Sequence, residues 1–226
     1  MNEAKGEPAS PEGTKSVNAD RAPRADARRN HERLVTAARE VFSEQGPAAS
    51  MEAIARKAGV GVGTLYRHFP TRIDIVEAVY NTDVEELADA AKAVVATLEP
   101  WPAMVAFFEA FMRYARTKQT LLSELQQAFE KNPALRSRAR DLIDSAFDLV
   151  IDNAKAAGVI RDDVDGRDVT QLVSPVCTNP LNSRETSERL VSMVLDGLRY
   201  PAKVAGPRPT ASLGVQPSPS GESSTD

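Results

Sequence analysis

The sequence is short of the residues from which catalytic centres, metal sites and secreted scaffolds are built. Among its 226 residues there is one cysteine, Cys177, and there are two histidines, His31 and His68. A lone thiol closes no intramolecular disulfide, and two histidines so far apart offer no metal-ligand spacing. No Ser/His/Asp grouping and no pair of carboxylates in an apolar setting stands out. No enzyme, no metal and no cofactor is therefore expected, and a reducing cytoplasm fits the cysteine usage. Long apolar runs are missing too, so no membrane partner is expected. The first fifteen residues, MNEAKGEPASPEGTK, carry acids and prolines where a signal peptide has a basic start and an apolar stretch. Aromatics make up only 5%. Strand formers seldom alternate with polar residues, and alanine is abundant, which together favour helix over sheet. An all-α fold follows.

The charge is uneven. The formal net charge of −4 argues at face value against a polyanionic partner. Residues 21–72, however, hold ten Lys/Arg against five Asp/Glu, and residues 73–226 hold sixteen against twenty-three. A basic segment joined to an acidic remainder points to a nucleic-acid module attached to something else.

Residues 1–23 and 203–226, rich in Pro, Ser, Gly and Ala, read as disordered tails. About nine helices are expected between them. The first spans about 26–45, with Leu34, Ala37, Ala38, Val41 and Phe42 on one face, and is ended by Gly46 and Pro47. Ser50 is a good N-cap for MEAIARKA, which Gly59 terminates. A short helix from about 61 or 62 to Phe69 is stopped by Pro70. Thr71 and Asp74 form a variant capping box opening a long helix to about Leu98. Past Pro100, Trp101 and Pro102, helices are expected at about 103–117, 120–131 and 133–157. Two more follow at about 168–177, where Pro175 is expected to kink or shorten the helix, and at 187–199.

The stretch GVGVGTLYRHFP, residues 59–70, admits two readings. A dinucleotide fingerprint needs a strand before its first glycine and a ribose-binding acid about twenty residues on. Here the preceding MEAIARKA is helical, and Thr64 stands at the third glycine position. Helix, glycine turn, short helix is the layout of a helix-turn-helix. Ala55 is small where the two helices approach, and Val60 and Leu65 plug the gap between them. Gly61, Val62, Gly63, Thr64, Tyr66, Arg67 and His68 are left for the exposed face and the helix ends. Thr64 suits a thymine methyl or a base edge, while Tyr66 and His68 suit phosphates or bases.

Residues 28–80, with EAIARKAGVGVGTLYRHFPTRIDIVEAVY at their heart, resemble the DNA-binding domain of the TetR (tetracycline-repressor) family of bacterial regulators. The resemblance implies a homodimer binding a palindromic operator on double-stranded DNA. It implies a DNA-binding domain at 26–80, with the motif at 50–69, and an effector-binding and dimerisation domain at 81–202. By position, Ser50 contacts phosphate, Gly63 and Thr64 lie against bases, and Tyr66, His68 and Arg72 hold the backbone. Arg72 departs from the lysine many members carry, Ile73 from a common acid, and Pro47 from an aromatic. A repressor released by a small apolar effector is the function implied. Rival readings are a small-molecule binding protein or a helical enzyme in which the head is incidental.

In the larger part, Met104, Phe107, Phe108, Phe111, Met112, Phe129, Ile143 and Phe147 gather within about forty residues. Core packing explains each singly, whereas as a group they suit an apolar ligand cavity. Asp141, Asp144, Asp148 and Asp152 make one acidic stripe, read as a solvated face partly paired with Arg140. Trp101 is expected to anchor a loop, and Cys177 to be a packed thiol. Leu172, Val176, Leu190, Val191, Val194 and Leu198 are the expected dimer interface, two helices from each subunit forming a four-helix bundle.

Overall fold

The computed structural model describes residues 21–199, and among them every regular element is helical. Nine α-helices run α1 Arg21–Gln45, α2 Met51–Ala58, α3 Val62–His68, α4 Arg72–Thr97, α5 Pro100–Thr120, α6 Leu122–Lys131, α7 Pro133–Ala156, α8 Gly166–Thr178 and α9 Arg184–Arg199, with one 3-10 turn at Gly46–Ala48. Most of both expected tails lies outside the described residues, but Arg21–Pro23 belongs to α1, which starts earlier than its apolar periodicity suggests.

The punctuation works through specific hydrogen bonds. Ser50 Oγ accepts from the Ala53 amide at 3.1 Å, and Gly59 leaves α2 with φ +65°, a left-handed conformation that costs glycine nothing. Thr71 and Asp74 cap α4 reciprocally, side chain to backbone in both directions. Three helix starts differ from expectation for the same physical reason, that a first turn needs no intrahelical N–H partners. Pro100 and Pro102 therefore fit inside the beginning of α5 instead of forming a break before it. Asp165 caps α8 in a second capping box with Asp168. Ser183 Oγ accepts from the Thr186 amide, which starts α9 at Arg184. Pro175 lies inside α8 without ending it.

The 26-residue α4 is about 39 Å long and packs against α1, α5, α6 and α7. One continuous buried cluster runs from Leu34 in α1 to Leu198 in α9. Its aromatic centre is Phe147, whose ring stands edge-on to Phe107, Phe108 and Phe111 at centroid distances of 5.0, 5.8 and 4.9 Å. All four rings are at most 2% exposed. Their packing leaves no room for a ligand among them, so Phe107, Phe108 and Phe147 are core. No described helix is long and apolar enough to cross a membrane.

Candidate nucleic-acid interface and effector cavity

The head is built so that α3 gives one side chain to the core and the rest to its surroundings. Leu65 is fully buried against α2, where Ala55 is also fully buried, and Val60 packs beside them. Gly61, Val62, Gly63, Tyr66 and Arg67 are exposed, and Thr64 and His68 are half-buried. A Cβ on Gly63 would meet nothing within 4 Å, so neither packing nor backbone conformation in the fold demands a glycine there. Arg67 curls along its own helix, donating to Gly63 O at 3.3 Å and Thr64 Oγ1 at 3.1 Å. His68 stands 6.2 Å from His31 of α1, ring to ring. His31 is held below the ordinary histidine pKa by burial first, then by the charge of His68.

Ser50 is exposed at the start of α2, with its oxygen used by the cap and its hydroxyl proton still available to a phosphate. Lys57 is spent on Glu40 and Glu44 of α1 at 2.9 and 2.6 Å. Arg72 is turned inward. Its Nε and Nη2 donate to Glu124 Oε1 of α6 at 3.1 and 3.0 Å, its Nη1 donates to Ala49 O, and its guanidinium lies 4.9 Å from the Phe42 ring centroid. Arg72, expected to hold the DNA backbone, is in this structure a brace between α6 and the residue before Ser50. Beside it, Lys131 of α6 pairs with Asp74 at 2.9 Å, which holds that carboxyl below its usual range.

Higher along α4, Arg39 of α1 meets Asp83 at 2.6 Å and Glu86 at 2.9 Å. Burial pushes Asp83 up to about 6 in spite of the guanidinium. Tyr80 and Tyr114 share a buried hydroxyl contact at 3.3 Å, and burial raises both phenols.

A cavity of about 630 Å³ opens between α4, α5, α6, α7 and α8. Of the eight residues expected around a ligand, Phe111, Phe129 and Ile143 line it, together with Tyr80 and Leu122. Met104, Phe107, Phe108 and Phe147 belong to the core behind it, and Met112 faces Cys177 on another side of α5. Lys118, Arg136, Arg140 and Arg167 on the cavity wall were not singled out from the sequence. The i, i+4 spacing of Arg136 and Arg140 is a signal in retrospect, but only the packing of α5 and α8 brings Lys118 and Arg167 to them.

Of the acidic stripe, Asp141, Asp148 and Asp152 are exposed and Asp144 turns toward the cavity. Asp152 lies 3.9 Å from Lys155. No described group of three His, Cys, Asp or Glu side chains converges as a metal site would. Cys177 is buried, and burial pushes its thiol up to about 11, so it stays protonated at neutral pH. Trp101 lies in the first turn of α5 under the Arg199 guanidinium, 4.3 Å from the ring centroid.

On α8, Leu172 is 58% exposed and Val176 half-buried. On α9, Leu190 and Val194 are half-buried, whereas Val191 and Leu198 point into the subunit core at 2% and 4% exposure. Met193, not singled out from the sequence, is 64% exposed beside them.

A helix held by one buried leucine behind a glycine turn, on a head continuous with an apolar helical bundle, defines a helix-turn-helix DNA-binding regulator. Residues 34–79 match the model of bacterial regulatory proteins of the tetR family, and residues 99–200 match that of the transcriptional regulator SbtR-like C-terminal domain. A crystal structure of a TetR transcriptional regulator from Streptomyces coelicolor is 38% identical with a TM-score of 0.67, the match covering 75% of this chain and 98% of that one. A TetR transcription regulatory protein from Mycobacterium vanbaalenii is 31% identical with a TM-score of 0.63, covering 79% of this chain and 99% of that one. An HTH-type transcriptional regulator of Staphylococcus aureus (strain USA300) is 40% identical over 63 residues, which is 27% of this chain and 34% of that relative. The match thus spans about a third of the length of this curated relative. The chain belongs to the TetR family of bacterial transcriptional regulators.

Proposed function

We infer that the protein is a homodimeric, cytoplasmic repressor whose paired α3 helices bind the two half-sites of a palindromic operator and are released by a small molecule. The observation that carries the reading is α3 itself, in which Leu65 is the one buried side chain. Ser50, Gly61, Gly63, Thr64, Tyr66, Arg67 and His68 are the proposed DNA contacts, with Arg72 acting on them through Ala49. Residues 26–80 are the proposed DNA-binding domain and 81–202 the effector and dimerisation domain.

The route between the two functions is α6. Its Leu122, Gln126 and Phe129 line the cavity, while its Glu124 and Lys131 hold the first turn of α4. A ligand against the first three shifts the last two, and with them the angle of each head. It must bind one arrangement more tightly than the other, since equal affinity shifts nothing.

Fluorescence anisotropy on DNA from upstream of the protein's own coding sequence tests the reading. Binding is expected to weaken steeply with salt, because cations on the head release counterions from the phosphates. Absent or salt-insensitive binding refutes it. The same assay separates the rivals, since a ligand-binding protein or an enzyme with an incidental head retains no operator affinity.

A further inference from the structure

Two sizeable cavities among those on the bundle differ in how their charges are used. In the one of about 750 Å³ beside α1, α4 and α5, the guanidinium of Arg39 is held by Asp83 and Glu86. In the one of about 630 Å³ between α4 and α8, Lys118, Arg136, Arg140 and Arg167 are lining residues, against a single carboxylate, Asp144. None of these four cations has a carboxylate within 4.0 Å or a hydrogen-bond partner among the described residues. Lys118, half-buried, has only the face of Tyr114, 6.0 Å from the ring centroid.

Helix stability does not ask for this arrangement. Arg136 and Arg140 stand four apart on α7, a spacing at which like charges repel, and Lys118 from α5 is brought toward both. Burial first, then these two arginines, lowers the Lys118 pKa, so the ammonium is short of compensating negative charge. Tyr80, Phe111 and Ile143, all buried, and half-buried Phe129 line the same cavity and supply its apolar floor, whereas Arg136, Arg140 and Arg167 are exposed.

We propose that the cavity between α4 and α8 binds an amphiphilic acid, its carboxylate or phosphate group held by Lys118, Arg136, Arg140 and Arg167 and its apolar body on the Tyr80, Phe111 and Phe129 floor. This rests on the effector site of the proposed function and names the class of effector. The apolar body expected from the phenylalanines keeps its place, and the cations add an acidic head. A volume of about 630 Å³ is within the range of small-molecule sites.

Calorimetric titration of the full chain with decanoate, decyl phosphate, decanol and decyltrimethylammonium, all below their micellar concentrations, tests the assignment. Both anions are expected to bind once per chain, at least tenfold more tightly than the alcohol or the cation. The double variant Arg136→Gln/Arg140→Gln removes no structural partner, and is expected to lose at least tenfold in affinity for the anions with an unchanged melting temperature. A tenfold preference for decyl phosphate over decanoate assigns a phosphate head, and the reverse order a carboxylate. Equal affinity for all four heads, or a double variant that binds decanoate like the parent, overturns the proposal. Anion-selective binding that leaves the operator complex intact upholds it and refutes the ligand response. Operator binding without anion selectivity overturns the proposal and leaves the DNA-binding reading standing.

Discussion

Gly63 separates what the fold needs from what the proposed function needs. Nothing stands within 4 Å of the position a Cβ would take, and the residue is the second of α3, in its first turn, with no positive φ. Gly63→Ala is therefore expected to stabilise the fold by about 0.5–1 kcal/mol, because alanine loses less conformational freedom in a helix. If α3 enters the major groove with its backbone close to the bases, the same methyl blocks the approach, and operator affinity falls at least tenfold. A higher melting temperature together with undiminished binding would place the DNA elsewhere. Asp83 makes a different residue-scale case, since its burial beside Arg39 is a cost at neutral pH. Its folded pKa of about 6, against an ordinary 3.8, means that the native state binds this proton more tightly than the unfolded chain does. The stabilisation is complete below about pH 4 and is lost as pH rises through about 6, amounting to about 3 kcal/mol. Asp83→Asn does not titrate. Its unfolding free energy in urea, relative to the parent, should shift in the variant's favour by up to about 3 kcal/mol between pH 4 and 7.5. A pH-independent difference contradicts the assignment.

At the scale of elements, the junction of α6 with α4 is one of two places where head and bundle meet through charges, the other being Arg39 with Asp83 and Glu86. Arg72 reaches Glu124 across α6 and Ala49 just before α2, with side-chain exposures of only 26% and 14% for the two ion-pair partners. Replacing Arg72 by methionine leaves Glu124 half-buried without its cation, and a double-mutant cycle with Glu124→Gln should give a coupling of about 1–2 kcal/mol. Its effect on DNA distinguishes a brace from a phosphate contact. Loss of a phosphate contact lowers the slope of log affinity against log salt by about 1, as expected for Arg67→Met. Arg72→Met should instead weaken binding with the slope unchanged, because its donors point inward. Much of this junction was legible in the sequence, since Ser50, Gly59, Thr71 and Asp74 act within three or four residues of themselves. The turn, the caps and the face of α3 are local chemistry. Glu124 is 52 residues from Arg72, and Lys118 is brought to Arg136 and Arg140 only by packing. No local rule announces such meetings. The phenylalanine cluster was visible as composition, but apolar clustering alone does not tell a closed core from a lined cavity. Three rings around Phe147 closed the core, and the cavity formed beside it, with Phe111 shared between the two and Phe129 and Ile143 on its wall.

For the molecule as a whole, the basic head and the acidic remainder act together only if two heads are held one operator half-site apart. The proposed interface is the outward side of α8 and α9. Leu172 and Met193 are exposed at 58% and 64%, and Gly197, four residues after Met193, has open space at its Cβ position. Val191 and Leu198, on the other side of α9, support the subunit itself. The two faces should therefore separate on mutation. Leu172→Glu with Met193→Glu replaces side chains that a single subunit leaves in solvent, so the unfolding free energy of one subunit changes little, within about 0.5 kcal/mol per site. In a dimer the same glutamates bury unpaired charge, and sedimentation should fall from twice the chain mass of 24.4 kDa to once. Operator affinity should fall with it, by at least a hundredfold on a full palindrome and little on a single half-site, because the second head no longer binds as part of one molecule. Leu198→Ala opens a core cavity instead, costing about 2–5 kcal/mol of subunit stability. If the glutamate pair stays dimeric while Leu198→Ala dissociates without unfolding, the interface lies on the opposite side of α9.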